Sequence, residues 1–269
     1  MDKVYFTEIK DAVIEITTAA AEIIKDAPFE VESKGEVVNI VTTNDIKSQR
    51  YLVKRLSELI PESGFFCEEE GLRDTESDYI WVIDPIDGTA NYARGIADCA
   101  ISVALLYRGE PAVGVVKAIF GEDVYSAVRG CGAFLNGRAI SVSKKEFGNG
   151  ILCTAMSLYK KEHARVCSDI IFEAYMECND VRRFGSCAME LCYMAAGRCE
   201  LYFEIRLFPW DFAAALLILR EAGGVARGLK DEQPPFCRPT VLVGANSEEN
   251  YRKLANIVNK HLHSTPYED

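Results

Sequence analysis

The sequence predicts a mixed protein, α+β in its first half and α/β in its second. Three observations carry that reading. The chain has 269 residues, 49% of them hydrophobic, which is enough for one large core or two closely packed halves. Its first half holds a series of short apolar runs separated by turn signals, the pattern of a strand meander. After SKKEFGNG (143–150) short apolar strands alternate with helical stretches, the pattern of an α/β layer. A soft boundary near residue 145 divides the chain into 1–145 and 146–269. There is no internal repeat, low-complexity tract or flexible linker, so the halves are expected to pack as one body.

The elements follow in order. FTEIKDAVIEITTAAAEIIKDA (6–27) has apolar residues at helical spacing and reads as an amphipathic helix. A short strand over 37–42 precedes a helix from Asp45 to Ile60, closed by Pro61. Gly64 to Cys67 and Tyr79 to Ile83 are apolar strands. The meander takes in 99–107, 112–118 and 123–128, and Asn136-Gly137 marks a hairpin turn. In the second half, helices are expected around 160–178, 186–197 and 211–222. Strands are expected near 151–154, 200–204, 224–228 and 240–244. The C-terminal HLHSTPYED is polar and expected to fray.

The formal net charge of −11 argues against holding a nucleic acid polymer by charge. It leaves room for a small anionic substrate where a bound cation inverts the local field. The ten cysteines include no C-x-x-C pair, and several lie in apolar runs, so they read as buried, reduced thiols of a cytoplasmic protein. The three histidines, 163, 261 and 263, stand outside every motif and read as surface residues. MDKVYFTEIKDAV has no apolar core of a secretory leader, and no run reaches the roughly 18 apolar residues of a membrane span.

WVIDPIDGTANYARG (81–95) asks for explanation. An apolar strand delivers Asp84 and Asp87 into one turn, and Glu68 follows another apolar strand. Strands ending side by side would crowd Glu68 against Asp84. Crowded carboxylates take up a proton unless a cation is present. Oxygen donors without His or paired Cys suit Mg²⁺ rather than zinc. Gly88-Thr89 lets the backbone approach a phosphate, and a helix starting there would offer free N–H groups. The plain alternative is an Asx-type turn with two capping acids. Asp211, in PWDFAAALLILREAGG (209–224), is equally readable as an acid favoured by a helix N-terminus. Thr42, Thr43 and Asp45, in IVTTND (40–45), are plausible N-cap residues.

Taken together these segments resemble the inositol monophosphatase family of Mg²⁺-dependent, lithium-sensitive phosphomonoesterases. The resemblance rests on the order VTTND, CEEEG, DPIDGT, GCGAFLNG, RFGS and WDFAAALLILREAGG, and covers residues 5–245. It implies a layered α-β-α-β-α sandwich. It also implies that Glu68, Asp84 and the carbonyl of Ile86 bind one metal, and Asp84, Asp87 and Asp211 a second. Glu68 would help hold a third, giving two or three Mg²⁺ ions, with Li⁺ inhibitory. Thr89, supported by Asp45, corresponds to the pair that orients and deprotonates the attacking water. Gly88 and Thr89 would hold phosphate through their N–H groups. Gly185 and Ser186 match the substrate-pocket loop, and Glu204 the acid that accepts substrate hydroxyls. Asp87 and Asp211 would face the same substrate, and Lys34 corresponds to a lysine at the mouth.

The chain departs from the pattern at Cys67, where Gly is usual, at Gly95-Ile96, at Cys187, and over Arg206-Leu207-Phe208-Pro209. These changes leave the chemistry intact and the substrate open. Inositol monophosphate comes first. Fructose 1,6-bisphosphate and 3′-phosphoadenosine 5′-phosphate are alternatives, a second phosphate needing a cation such as Arg206 or Arg183. A regulatory binding protein retaining the fold is the non-enzymatic alternative. The family is commonly dimeric, so a homodimer is expected, with the apolar 99–118 region as interface or as core.

Overall fold

The computed structural model describes residues 2–33, 40–74, 76–156 and 160–262. Asp2 starts the first helix by accepting the N–H groups of Val4 and Tyr5. Helix α1 (Lys3–Ile24) then buries Phe6, Ile9, Val13, Ile16, Ala20 and Ile24 along one stripe. A two-stranded ribbon, β1 (Val31–Ser33) and antiparallel β2 (Ile40–Thr42), leads into α2 (Thr43–Leu59). This helix begins two residues before the expected Asp45. Thr42 is the N-cap, and Asp45 closes a capping box from the first turn. Of the expected strand over 37–42, residues 37–39 lie outside the described residues, as does Lys34.

The large sheet has seven strands in the order β3-β4-β5-β6-β7-β8-β9. Its strands are β3 (Gly64–Cys67), β4 (Tyr79–Asp87), β5 (Ala100–Tyr107), β6 (Glu110–Ala118), β7 (Val124–Val128), β8 (Ala133–Leu135) and β9 (Arg138–Ile140). Only β3 and β4 run parallel; every later pair is antiparallel, the expected meander. Asn136 and Gly137, both with positive φ, make the β8–β9 turn. One turn of helix, α3 (Thr89–Tyr92), follows β4.

The second sheet has five strands in the order β11-β10-β12-β14-β13. They are β10 (Ile151–Thr154), β11 (Asp180–Arg182), β12 (Leu201–Leu207), β13 (Val225–Arg227) and β14 (Thr240–Ala245). The helices are α4 (Ala164–Tyr175), α5 (Cys187–Ala195), α6 (Pro209–Glu221) and α7 (Glu248–His261). Strand β11 and helix α7 have no counterpart in the sequence reading. Of the segment HLHSTPYED, expected to fray, His261 ends α7 and Leu262 is buried in the core, while residues 263–269 lie outside the described residues. Leu254, Ile257 and Val258 give α7 a buried face that anchors it against β14.

Three apolar clusters define the layers. The first joins α1 and α2 to one face of the large sheet. The second fills the space between the two sheets and contains α5 and α6. The third joins α4 and α7 to the far face of the small sheet. The result is an α-β-α-β-α sandwich. Helix α6 is buried on nearly every side because a sheet covers each face. Gly114 of β6 makes that packing possible, since a Cβ there would meet the Ala214 carbonyl oxygen at 2.6 Å. The apolar 99–118 region is therefore core: only the turn between β5 and β6 and its flanks reach solvent.

All ten cysteines are free thiols, and seven of them are buried. His163 is buried rather than on the surface, and His261 is half-buried against Glu173. Among the described residues, no helix is long and apolar enough to cross a membrane.

Candidate active site

The parallel register pairs Cys67 with Ile83, so the next residues, Glu68 and Asp84, leave adjacent strand ends. The Glu68 N–H donates to the Ile83 carbonyl at 3.1 Å and fixes that adjacency. The strand reading ended at Ile83, followed by a turn. The strand instead continues to Asp87, which pairs with Ala100 after a bulge spanning Pro85 and Ile86. Pro85 has no N–H to give the ladder, and a bulge is where a strand tolerates it. The bulge also lets the Ile86 N–H donate to Asp84 Oδ1 at 3.0 Å.

Gly88 then turns the chain with φ of 88°. A Cβ there would stand 3.0 Å from the Asp98 oxygen and 3.2 Å from the Gly185 oxygen. Glycine thus serves both conformation and close approach at this position. Thr89 opens α3, and its Oγ1 lies 3.1 Å from Asp45 Oδ1 and 3.0 Å from the Ile86 carbonyl. Asp45 Oδ2 accepts the Thr42 N–H at 2.7 Å and the Thr42 hydroxyl at 2.5 Å. Asp45 therefore serves the helix cap with one oxygen and Thr89 with the other. Burial pushes Asp45 up to about 6, with the Thr42 hydrogen bonds opposing.

The second half closes the site. Ser186 Oγ donates to Asp87 Oδ2 at 2.6 Å, and the Ala188 N–H donates to the same oxygen at 2.7 Å. Asp87 stands at about 6: burial raises it and these hydrogen bonds hold it down. Asp211 begins α6 and accepts the Phe208 N–H at 2.7 Å. It keeps some surface on the cleft, yet packing raises its carboxyl well above the ordinary range, with Asp87 and Glu68 adding to the effect. Asp84 is raised in the same way, by burial first and then by Glu68, Asp87 and Asp211. Glu204 accepts the Tyr202 hydroxyl at 2.7 Å and is pushed up to about 7 by burial.

Glu68, Asp84, Ile86, Asp87, Gly88, Thr89, Gly185, Ser186, Glu204 and Asp211 line one cleft, open to solvent. Asp45 stands behind Thr89. The structure thus brings together every site residue read from the sequence except Lys34, which lies outside the described residues. Three further residues escaped that reading. Glu190 is buried in α5, and its Oε1 accepts the N–H groups of Phe184 and Gly185 at 2.7 and 3.0 Å. Asn91 Nδ2 donates to the carbonyls of Phe184 and Asp98 at 2.6 and 2.7 Å. Arg73 lies over both the Phe66 and Trp210 rings and donates to the Cys67 carbonyl. The one usable signal was an acid inside the apolar run MELCYMAAG. Asn91 and Arg73 also reach partners distant in sequence, Phe184 and Trp210.

The carboxylates fit a hard cation. Four acids and a carbonyl bring only oxygen donors, and burial, with repulsion among the acids adding to it, pushes the carboxyls of Asp84 and Asp211 up in the absence of a counter-charge. Among the described residues, no three His, Cys, Asp or Glu side chains close into a ready-made metal cage. Asp84, Asp87 and Asp211 instead each turn an oxygen to a protein donor.

The layers and the cleft define a protein built on the α-β-α-β-α sandwich, with its acids gathered where the two sheets' ends meet. The chain belongs to the inositol monophosphatase family, whose model matches residues 2–263. It is 38% identical over 189 residues to a protein named Nus factor SuhB from Vibrio cholerae, covering 70% of this chain and 71% of that one. The Nus factor SuhB of Escherichia coli K12 is 37% identical over 203 residues, covering 74% and 76%. Among solved structures, the suhB protein of Bartonella henselae superposes with a TM-score of 0.86 at 28% identity, over 94% of this chain and 99% of that one. An IMPase of Thermotoga maritima gives 0.85 at 27% identity, over 98% and 99%.

Proposed function

We propose that the chain is a Mg²⁺-dependent phosphomonoesterase acting on a small phosphorylated polyol, with inositol monophosphate the first candidate. The observation that most supports this is the Thr89–Asp45 hydrogen bond at the rim of a carboxylate cleft. A turn that needed only capping acids has no use for a second buried carboxylate behind its threonine.

In this reading Glu68, Asp84, Asp87, Asp211 and the Ile86 carbonyl hold Mg²⁺, which supplies charge neutralisation for the phosphate and acidity for a bound water. Thr89 Oγ1, donating to Asp45, keeps its lone pairs turned toward the cleft and orients the attacking water. Asp45, near 6, is ionised at neutral pH and accepts the proton that Thr89 relays. The N–H groups of Gly88 and Thr89 face the phosphate oxygens. Glu204 accepts a hydroxyl of the polyol, and the Gly185–Ser186 loop forms the pocket wall.

The test is phosphate release from inositol 1-phosphate, fructose 1,6-bisphosphate, 3′-phosphoadenosine 5′-phosphate and glycerol 2-phosphate, with and without Mg²⁺, beside Asp87→Asn. Turnover that needs Mg²⁺ and is lost in the variant is expected. No turnover by folded protein in Mg²⁺ overturns the reading. It would leave the second one, a binding role for the same fold, which the name Nus factor of the curated relatives favours.

A further inference from the structure

Two stretches of backbone from different halves of the chain face each other in the cleft. Gly88, Thr89 and Ala90 form one, and Gly185 and Ser186 the other. They abut closely: a Cβ on Gly88 would stand 3.2 Å from the Gly185 carbonyl oxygen. Apolar packing does little to fix the second stretch. Arg183 is exposed, Gly185 has no side chain, and Phe184 is the one apolar side chain of residues 183–186, edge-on to Tyr193 at 5.1 Å.

Hydrogen bonds fix it instead, and Asn91 is their centre. Its side-chain amide has two hydrogens to give, and both are used. One goes to the Phe184 carbonyl at 2.6 Å and the other to the Asp98 carbonyl at 2.7 Å. Gly185 leaves room for this amide, since a Cβ there would stand 3.2 Å from Asn91 Nδ2. Both acceptor residues are tied in turn to α5. Tyr193 donates its hydroxyl to Asp98 Oδ1 at 2.6 Å, and Glu190 accepts the N–H groups of Phe184 and Gly185. The contacts close a ring, from α3 to the loop, on to α5, to Asp98 and back to α3. Bonds joined in such a network hold their geometry more firmly than isolated ones.

Helix α3 is anchored on its other side as well. Tyr92 donates to the Ile24 carbonyl at 2.6 Å and accepts from Asn44 Nδ2 at 2.7 Å. A single helical turn has no stability of its own. The neighbours Asn91 and Tyr92 therefore join the turn that carries Thr89 to opposite halves of the molecule. Asn91 is not among the residues lining the cleft, so it acts through the loop.

We propose that Asn91 is a positioning residue that sets the gap between the Gly88–Thr89 turn and the Gly185–Ser186 wall, and with it the preference for a ring-shaped polyol phosphate over a smaller ester. This rests on the phosphomonoesterase reading and adds what fixes its substrate pocket. A ring spanning the gap touches both walls, whereas a glycerol ester held by its phosphate depends mainly on the turn. A loosened wall loses binding that is equal in the ground state and the transition state, so KM rises while kcat holds.

The test compares inositol 1-phosphate with glycerol 2-phosphate in saturating Mg²⁺, using the wild type, Asn91→Leu and Asn91→Ser. Leucine keeps the volume without the donors, and serine keeps one shorter donor. In Asn91→Leu, KM for inositol 1-phosphate should rise about tenfold with kcat within about threefold, and the kcat/KM ratio of the two substrates should fall about tenfold. Asn91→Ser should retain part of the ratio. An unchanged ratio, including an equal loss on both substrates, overturns the proposal and leaves the phosphatase reading intact. Amide hydrogen exchange over residues 184–188 is the readout without turnover. It should quicken in Asn91→Leu while strands β4, β5 and β6 keep their wild-type protection. Faster exchange in a protein that turns over neither ester upholds the positioning role and overturns the phosphatase reading. No turnover and unchanged exchange overturns both.

Discussion

Ser186 donates its hydroxyl hydrogen to Asp87 at 2.6 Å, across 99 residues of sequence. One residue begins a helix in the second half of the chain, and the other ends a bulged strand in the first. Asp87 is therefore shaped by both sheets at once, and the cleft exists only where they meet.

Ser186→Ala removes that donor and leaves the Ala188 N–H as the remaining partner of the same oxygen. Stability should fall by about 1–2 kcal/mol, the effect of losing a hydrogen bond to a buried, charged group together with a helix cap. Mg²⁺ should bind less tightly because Asp87 is no longer oriented. Denaturant unfolding and calorimetric Mg²⁺ titration measure the two effects. Unchanged values in both would show that the hydrogen bond does not hold Asp87.

Glu190 makes stability depend on pH. Burial, with Glu204 adding to it, raises its carboxyl from an ordinary 4.5 to about 8. Between those values the folded protein holds a proton that the unfolded chain has lost. Stability is thus greatest below the lower value, falls as pH rises through the window, and levels off above about 8. The full contribution is up to about 5 kcal/mol. Glu190→Gln keeps the acceptor for Phe184 and Gly185, so the variant should lose stability less steeply from pH 5 to 8. Parallel slopes for variant and wild type would count against it.

Mg²⁺ should raise the melting temperature, because it binds the folded state alone. Asp87, at about 6, must release its proton to hold the ion. The rise should therefore be larger at pH 8 than at pH 5.5. A melting curve that does not respond to millimolar Mg²⁺ at pH 8 would refute an intact site.

Gly88→Ala should be severe for its size. The new Cβ meets two carbonyl oxygens at 3.0 and 3.2 Å, and the backbone is left-handed there. A loss of about 2 kcal/mol or more is expected, with phosphate release falling at least tenfold. Wild-type stability and activity would show that the turn relaxes freely.

Much of the fold was legible because periodicity reports burial. Strands β3 and β10 were read from their apolar runs with the observed bounds, and the meander from its turn signals. Strand β11 and helix α7 were missed for a physical reason. β11 is three half-exposed residues that pair with β10, and α7 is polar on average, with its apolar stripe hidden in a charged segment. Likewise, His163 and Leu262 reveal nothing of their burial in a local window.

The sequence by itself determined which chemical groups are present and the local turns that carry them: the acids, the glycine before Thr89, the capping box at Asp45. Local geometry suffices for those, since each depends on a few neighbouring residues. Only the tertiary structure decided that Asp45 bonds Thr89, that Ser186 bonds Asp87, that Glu190 holds the loop before Ser186, and that Arg206 stacks over Phe208. Apart from the Arg206 stack and the Glu190 contact, these contacts span strands and loops distant in sequence. Packing the two sheets around α5 and α6 fixes which distant residues meet, and no pattern along the chain encodes those distances.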